Sequence, residues 1–306
     1  MASSTQIGEW RRHAYAAVAI RIAITSDLHV DHHADAIGLV AEAVRRAEPD
    51  VLVVAGDLTA DDALLERSLA TLRPSAREAV FVPGNHDLWV RKEGPTSRDR
   101  YERIVPARAR AAGFRTPFDG SPTELFGHRF VGVTGWYDYS LRNRAMDGTF
   151  TQAAYDSGNF GVLQWADKLR IRWPGVDGVL LDDPDICTQH VASLGRQLAR
   201  PGELPIVVVT HHLPFAELCT VRQSVPWDFL NGFMGSQRLG ALIAADPRVR
   251  LTVSGHTHFG KDVTIARAAG EPIRAIVSPL GYPREYRYMG LTLAERVAQR
   301  VTIVEL

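Results

Sequence analysis

The fold is decided by five short motifs that follow apolar runs: Asp27-Leu28-His29, Gly56-Asp57, Gly84-Asn85-His86-Asp87, His211-His212 and Gly255-His256-Thr257-His258. The runs before them are rich in β-branched residues and lack polar alternation, which is typical of strands buried on both faces. In open α/β sheets, ligands bind in the crevice beyond the carboxyl ends of the strands. We therefore predict that the five motifs converge on one rim, although they lie far apart in the chain.

The first three motifs belong to two consecutive strand–helix–strand units. Apolar residues spaced by three and four predict helices over residues 34–48 and 64–72, which Pro49 and Pro74 end. Crossovers of this kind are right-handed in nearly all proteins and join parallel strands. Further along, short strands of a second, largely antiparallel layer are predicted at residues 263–266, 273–277 and 301–304.

The motifs combine carboxylate, amide and imidazole groups and contain no thiolate. This donor set suits divalent Mn, Fe, Zn or Co rather than a structural zinc site built from cysteines. It also has more members than one tetrahedral ion needs, which indicates two ions with a carboxylate as the bridge. Taken alone, Gly56-Asp57 indicates only a turn before a helix cap. His86 beside Asp87 is the carboxylate–imidazole couple that keeps a general acid protonated.

The ordered pattern D-x-H, G-D, G-N-H-D, H and G-H-x-H resembles the calcineurin-like metallophosphoesterase superfamily over residues 22–258. The resemblance implies an α/β fold, a four-layer α-β-β-α sandwich with two mixed sheets and the metal site at the C-terminal strand edges. For one ion it implies the ligands Asp27, His29, Asp57 and His258. For the other it implies Asp57, Asn85, His211 and His256. It also implies that His86 faces the substrate and that Asp87 orients His86.

These features predict a hydrolase with two divalent ions (Mn, Fe, Zn or a mixed pair) that cleaves a phosphomonoester or phosphodiester by a metal-activated hydroxide. No Cys or Ser is placed as a nucleophile, so we expect no covalent intermediate. Two alternatives remain. A DNA or RNA nuclease of the same fold needs a basic groove, for which the arginine-rich residues 91–115 and 142–144 are the candidates. A non-catalytic protein-interaction scaffold usually lacks one of the ligands, and none is missing here.

Two adjacent histidines crown the fourth strand. Neighbouring side chains on an extended backbone point to opposite faces, so only one of them is expected to reach an ion. The family resemblance favours His211, and His212 is the alternative ligand or a substrate contact. Asp31, His32 and His33 are predicted to form a solvated loop rather than a further ligand set.

Residues 1–17 are predicted as an N-terminal extension of a single domain over 18–306, with insertions at about 91–165 and 213–235 that wall the cleft. Long aromatic-rich loops of this kind are usually functional. In the first insertion, Trp136, Tyr137, Arg142 and Arg144 are candidate substrate contacts, and the alternative is a peripheral core with a solvated basic turn. Arg284, in a later loop, is a further candidate.

The composition narrows the class of protein. The chain has 306 residues with 35 basic and 35 acidic side chains, so no overall positive charge favours nucleic acid binding. Two cysteines are too few for a disulfide framework and predict a cytoplasmic protein. No stretch reaches the length that spans a bilayer. A small-molecule or nucleotide phosphoester is the expected substrate, nucleic acid is a second possibility, and the sequence does not indicate the oligomeric state.

Overall fold

The computed structural model describes residues 19–33, 35–120, 123–222, 224–268 and 270–306. The N-terminal extension predicted over residues 1–17 lies outside these ranges. The strands are β1 Arg21–Thr25, β2 Val51–Ala55, β3 Glu78–Val82, β4 Thr123–Leu125, β5 His128–Val133, β6 Asn159–Phe160, β7 Leu163–Gln164, β8 Ile206–Thr210, β9 Val249–Ser254, β10 Lys261–Ile265, β11 Ile273–Val277 and β12 Thr302–Glu305.

The helices lie between and after these strands. They are α1 Ala36–Arg46, α2 Asp62–Leu72, α3 Asn85–Leu88, α4 Ser97–Asp99, α5 Val105–Ala111, α6 Gln152–Ser157, α7 Asp167–Arg170, α8 Asp183–Leu198, α9 Val225–Leu230, α10 Gln237–Ala245, α11 Pro283–Tyr288 and α12 Leu293–Arg300. A π-helical turn over Arg100–Ile104 joins α4 to α5. Single 3₁₀ turns are at Arg73–Ser75, Pro117–Asp119, Arg144–Met146, Ala216–Leu218 and Asn231–Phe233.

The strands form two mixed sheets and one small hairpin. The first sheet has the order β12-β1-β2-β3, in which β1, β2 and β3 are parallel and β12 is antiparallel to β1. The second sheet has the order β10-β11-β9-β8-β5-β4, with four parallel inner strands and antiparallel strands at both edges. Strands β6 and β7 pair only with each other. The predicted α/β fold with two mixed sheets is confirmed.

The separate antiparallel layer predicted near the C-terminus is wrong. Strands β10 and β11 extend the second sheet, with β11 parallel to β9, whereas β12 joins the first sheet. The sequence of a short apolar strand does not specify which strand it pairs with, because pairing is decided by side-chain packing against the neighbouring strands.

The two sheets pack face to face beneath outer helices. On β8, Val207 and Val209 share a hydrophobic core with the strands of the first sheet. The alternate residues Ile206 and Val208 pack in a second core with α8 and α10. This alternation is the period of two that a strand between two apolar layers requires. With the two sheets packed in this way, the carboxyl ends of β1, β2, β3, β8 and β9 meet at one end of the interface between them.

Part of the stretch predicted as the first insertion belongs to the sheet. Strand β5 pairs in parallel with β8 over five residues, so the chain returns to the core between residues 91 and 165. The first predicted insertion is thus interrupted by a strand of the sheet. The limits given for the two insertions stay predictions. None of the helices in the described part of the chain combines the length and hydrophobicity that crossing a bilayer requires.

Candidate metal centre

The strand ends bring two groups of side chains together. In the first group, His29 Nε2 lies 3.0 Å from His258 Nε2, and His258 Nε2 lies 3.5 Å from Asp27 Oδ1. In the second group, Asn85 Oδ1 lies 3.0 Å from His211 Nε2 and 3.1 Å from His256 Nδ1. All of these side chains are buried except His258, which is partly exposed.

Asp57 lies between the two groups. Its Oδ2 is 3.8 Å from His29 Nε2, and its Oδ1 is 3.4 Å from His211 Nε2. One carboxylate therefore presents one oxygen to each group. This is the geometry that a bridging ligand needs.

The backbone is strained at this centre. Asp27, His29, Asp57, His256 and His258 have φ of +54°, +38°, +59°, +73° and +53°, respectively. Residues other than glycine rarely adopt this left-handed backbone conformation, and those that do so cluster at functional sites. Here the sharp turn at each strand end directs the side chain into the space between the sheets.

Two glycines make room for the carboxylates. A Cβ atom at Gly84 would lie 2.1 Å from Asp57 Oδ1, and one at Gly255 would lie 2.7 Å from Asp27 Oδ2. Both distances are shorter than a non-bonded contact allows. The glycines in the motifs are thus explained by the close approach of the backbone to the two aspartates.

Outer hydrogen bonds fix which atom faces the centre for four of these side chains. His211 Nδ1 lies 2.8 Å from the carbonyl oxygen of Ala55, His256 Nε2 lies 3.2 Å from that of Phe233, and each donates its N–H there. The His258 Nδ1–H donates to both oxygens of Glu285 at 3.0 Å. The Asn85 Nδ2 amide donates to Asp167 Oδ1 at 2.8 Å.

The atoms that remain are lone-pair acceptors, and they face each other. If both rings are neutral, His211 Nε2, His256 Nδ1 and Asn85 Oδ1, which lie within 3.2 Å of one another, have no proton to place between them. Such contacts repel unless a metal cation, or a proton gained by His211, lies among them. Ligands at about 2.1 Å from one ion and about 90° apart are about 3 Å from each other, so the spacing fits a divalent metal. The donor set therefore fits the group that the resemblance implies.

Without a cation, the buried carboxylates of this centre draw protons onto two of its histidines. Burial lowers the pKa of His258, but Asp27 and Glu285 outweigh it and raise the pKa to about 10. Burial also lowers the pKa of His211, and Asp57 outweighs it and raises the pKa to about 9. Burial raises the pKa of Asp57, but the surrounding histidines hold it well below its usual range. The buried carboxylates thus require positive charge beside them.

Asp87 does not orient His86, so the predicted couple is not formed. The Asp87 carboxylate accepts from the backbone N–H groups of Asp57, Leu58, Thr59 and Gly84 at 2.8–2.9 Å. From helix α3, the Asp87 carboxylate points back toward the loops that follow β2 and β3 and not toward the imidazole of His86. Burial lowers the pKa of His86, although Asp57 opposes this.

His86 itself faces the predicted side. Its Nε2 lies 3.9 Å from Asp57 Oδ2 and 3.5 Å from the hydroxyl of Tyr282, and its ring stacks on Trp89 with centroids 3.6 Å apart. These contacts hold the imidazole at the wall of a cavity of about 920 Å³ that opens from the centre.

Three predicted substrate contacts are packing residues instead. His212 is fully buried, and its ring lies against His256, Trp136 and Tyr137. Trp136 Nε1 donates to Asp183 and the Tyr137 hydroxyl approaches Asp167, and neither aromatic residue lines the cavity. The aromatic content of this segment predicted that it lines the cleft, but it did not indicate whether a given ring faces the cleft or the core. Of the two adjacent histidines, His211 is the one that points into the centre.

Two of the three predicted arginines are also away from the cavity. Arg142 forms an ion pair with Asp147 at 2.7 Å, and Arg144 lies on an exposed 3₁₀ turn. Neither lines the cavity, whereas Arg284 does. Residues 142 and 144 therefore do not add positive charge to this cavity.

Three residues that contact the centre were not identified from the sequence. Glu285 accepts from His258, Asp167 accepts from Asn85, and Tyr282 stacks on His29 with centroids 4.3 Å apart. Each lies on a short loop or helix start far from its partner in the chain. No periodicity marks such isolated residues.

The comparisons with known proteins agree with this geometry. The calcineurin-like phosphoesterase family profile matches residues 20–260. The chain is 37% identical over 279 residues to the acyl-carrier-protein phosphodiesterase PptH of Mycobacterium tuberculosis, an alignment that covers 86% of this chain and 78% of that protein. The chain therefore belongs to the calcineurin-like phosphoesterase family, and it is a phosphoesterase.

Solved structures show the same fold. The crystal structure of phosphopantetheinyl hydrolase PptH from Mycobacterium tuberculosis superposes with a TM-score of 0.65 and 21% identity, covering 93% of this chain and 95% of that chain. The protein TT1561 of Thermus thermophilus superposes with a TM-score of 0.50 and 14% identity, covering 94% of this chain and 99% of that chain. These likenesses concern the fold alone.

Proposed function

We propose that this protein is a phosphodiesterase with two divalent ions that removes a phosphopantetheinyl group from a carrier protein. The observation that carries the two-ion proposal is Asp57, whose two oxygens face two separate groups of donor atoms. The proposed ligands of the first ion are Asp27, His29, Asp57 and His258. Those of the second are Asp57, Asn85, His211 and His256.

The proposed metals are Mn, Fe, Zn or a mixed pair, because the donors are oxygen and imidazole nitrogen. When bound, such a pair offsets charge on the phosphoryl oxygens and supplies hydroxide near neutral pH. The surrounding residues have defined tasks. Glu285 and Asp167 hold the imidazole of His258 and the amide of Asn85 in their orientations. His86, fixed by Trp89, contacts the phosphoryl group or the leaving oxygen from the cavity wall.

The proposed substrate rests on the relative and on the cavity. The carrier protein enters because the 37% identical relative is named as an acyl-carrier-protein phosphodiesterase. A cavity of about 920 Å³ is within the size range of ligand sites and has room for a long flexible group. Its aromatic walls include Trp89, Trp165 and Trp227. Both cysteines in the chain are free and buried, and we keep the cytoplasm as the proposed location.

The test is direct turnover. Metal-free protein is loaded with Mn, Fe or Zn and incubated with a phosphopantetheinylated carrier protein, whose mass is followed. We expect the wild type to release the phosphopantetheinyl group from the carrier, and we expect the Asp57→Ala variant to release none. Hydrolysis of a small aryl phosphodiester without any loss from the carrier would refute the substrate. No hydrolysis of either compound with any of the metals would refute the proposed activity.

A further inference from the structure

The surface around the outer part of the cavity combines large exposed apolar side chains with two arginines. We call this surface the rim and define it by Leu163, Arg222, Trp227, Arg284, Tyr288 and Met289, all of which line the cavity. Tyr288 is 94% exposed and Met289 is 53% exposed. Large apolar side chains of this kind, grouped around an opening, mark interaction sites rather than ordinary surface.

The accessible charges of the rim are positive. Arg222 and Arg284 are exposed, and neither forms an ion pair with any carboxylate in the described part of the chain. The carboxylates that line the cavity are Asp57, which is itself a proposed ligand, and Asp167 and Glu285, which each hydrogen-bond to a proposed ligand. The chain as a whole carries 35 basic and 35 acidic residues, so the positive rim is a local concentration.

Aromatic rings hold the Arg222 side chain in place. Its guanidinium carbon lies 4.4 Å from the Trp227 ring centroid and 4.8 Å from that of Phe259. Cation–π contacts of this kind fix a guanidinium group without neutralising its charge. The rim thus presents a preorganised cation beside exposed apolar side chains.

A small ester would be enclosed by the inner cavity and would leave these groups unused. A carrier protein, in contrast, must remain outside while its tethered phosphodiester enters. We propose that the rim is the docking surface for an acidic, partly apolar face of the carrier protein. This proposal rests on the proposed function, and it adds how the protein part of the substrate is recognised. Complementary charge of this kind governs specificity and the rate of association.

The test uses the double variant Arg222→Glu/Tyr288→Glu, which places two carboxylates on the rim. The matched control is Arg67→Glu, an exposed arginine on α2 that does not line the cavity. With the metal-loaded enzyme, we expect KM for the phosphopantetheinylated carrier to rise at least about tenfold in the double variant. Turnover of a small aryl phosphodiester, which also reports correct folding, should change less than twofold. In the wild type, KM for the carrier should rise with salt.

Binding of fluorescently labelled carrier protein, followed by anisotropy, separates the two proposals. If the wild type binds but does not cleave the carrier, and the double variant binds it more weakly than the control, the docking surface stands and the proposed substrate chemistry fails. Unchanged KM and unchanged binding in the double variant would overturn the docking surface. So would equal losses with both substrates, or conversion of a dimer into a monomer without an effect on the carrier.

Discussion

Asp167 offers the sharpest test of how the centre is positioned. Its buried carboxylate accepts from Asn85 Nδ2 at 2.8 Å, Trp89 Nε1 at 2.6 Å and Trp165 Nε1 at 3.0 Å. Asp167→Leu removes every acceptor, so the Asn85 amide is free to turn its NH₂ group toward the second proposed ion. Removing a residue that orients a metal ligand lowers metal affinity by about 10–100-fold. We expect that loss for one of the two ions only.

Asp167→Asn should behave differently. Its carbonyl oxygen still accepts from Asn85 and Trp89, and the Trp165 indole keeps its 3.2 Å contact with the Tyr137 hydroxyl. Metal affinity should therefore stay within about threefold of wild type, since the amide of Asn85 stays oriented. The matched control is Asp183→Leu, because the Asp183 carboxylate also accepts from buried aromatic groups, Trp136 and Tyr139, but does not touch a proposed ligand.

The assay is a metal titration of the metal-free protein in competition with a chelating indicator. Each unpaired buried donor costs about 1–3 kcal/mol, so Asp167→Leu and Asp183→Leu should both lower the unfolding temperature. Only Asp167→Leu should convert two tight sites into one tight and one weak site. If both leucine variants weaken metal binding equally, or if Asp167→Leu retains two tight sites, the orienting role of Asp167 is wrong.

Three further predictions concern other parts of the molecule. Glu285→Ala should weaken binding of the ion near His258 by about 10–100-fold, while Glu285→Gln, which keeps an acceptor, should lose less; the same titration measures both. Gly84→Ala should destabilise the fold because its Cβ would lie 2.1 Å from Asp57 Oδ1, and unchanged denaturant midpoints would contradict this. Burial lowers the pKa of His190 to about 3, so the unfolded chain takes up its proton first as the pH falls below about 6.5. Acid should therefore cost the wild type about 2 kcal/mol more than His190→Leu between pH 7 and pH 5, and equal losses in urea unfolding would refute it.

The strand ends and their convergence were predictable because the runs that precede the motifs are apolar and β-branched. Every residue of β2 and β8 is buried, as that pattern requires. Within each sheet, the parallel order of the strands, which short connections and crossover handedness restrict, groups Asp27, Asp57 and Asn85 at one edge and His211 and His256 at another. The packing of the two sheets then brings the two edges together. This part of the site is encoded locally and by topology.

Other contacts were not predictable because they depend on tertiary packing. Asp87 is adjacent to His86 in the chain, but its carboxylate accepts from backbone N–H groups of the segment after β2 and of Gly84, directly before α3. Asp167 and Glu285 reach their partners across 82 and 27 residues, respectively. Trp136 and Tyr137 show the same limit, since composition does not tell whether an aromatic ring faces a core or a cavity.

The central claim is that Asp57 bridges two ions between the carboxyl ends of the two sheets. A crystal structure of the Mn-loaded protein, with anomalous diffraction measured at the Mn edge, tests this most directly. We expect two anomalous peaks, one on each side of Asp57, with His29 and His258 beside one and His211 and His256 beside the other. A single peak, or peaks that do not share Asp57, would contradict the account.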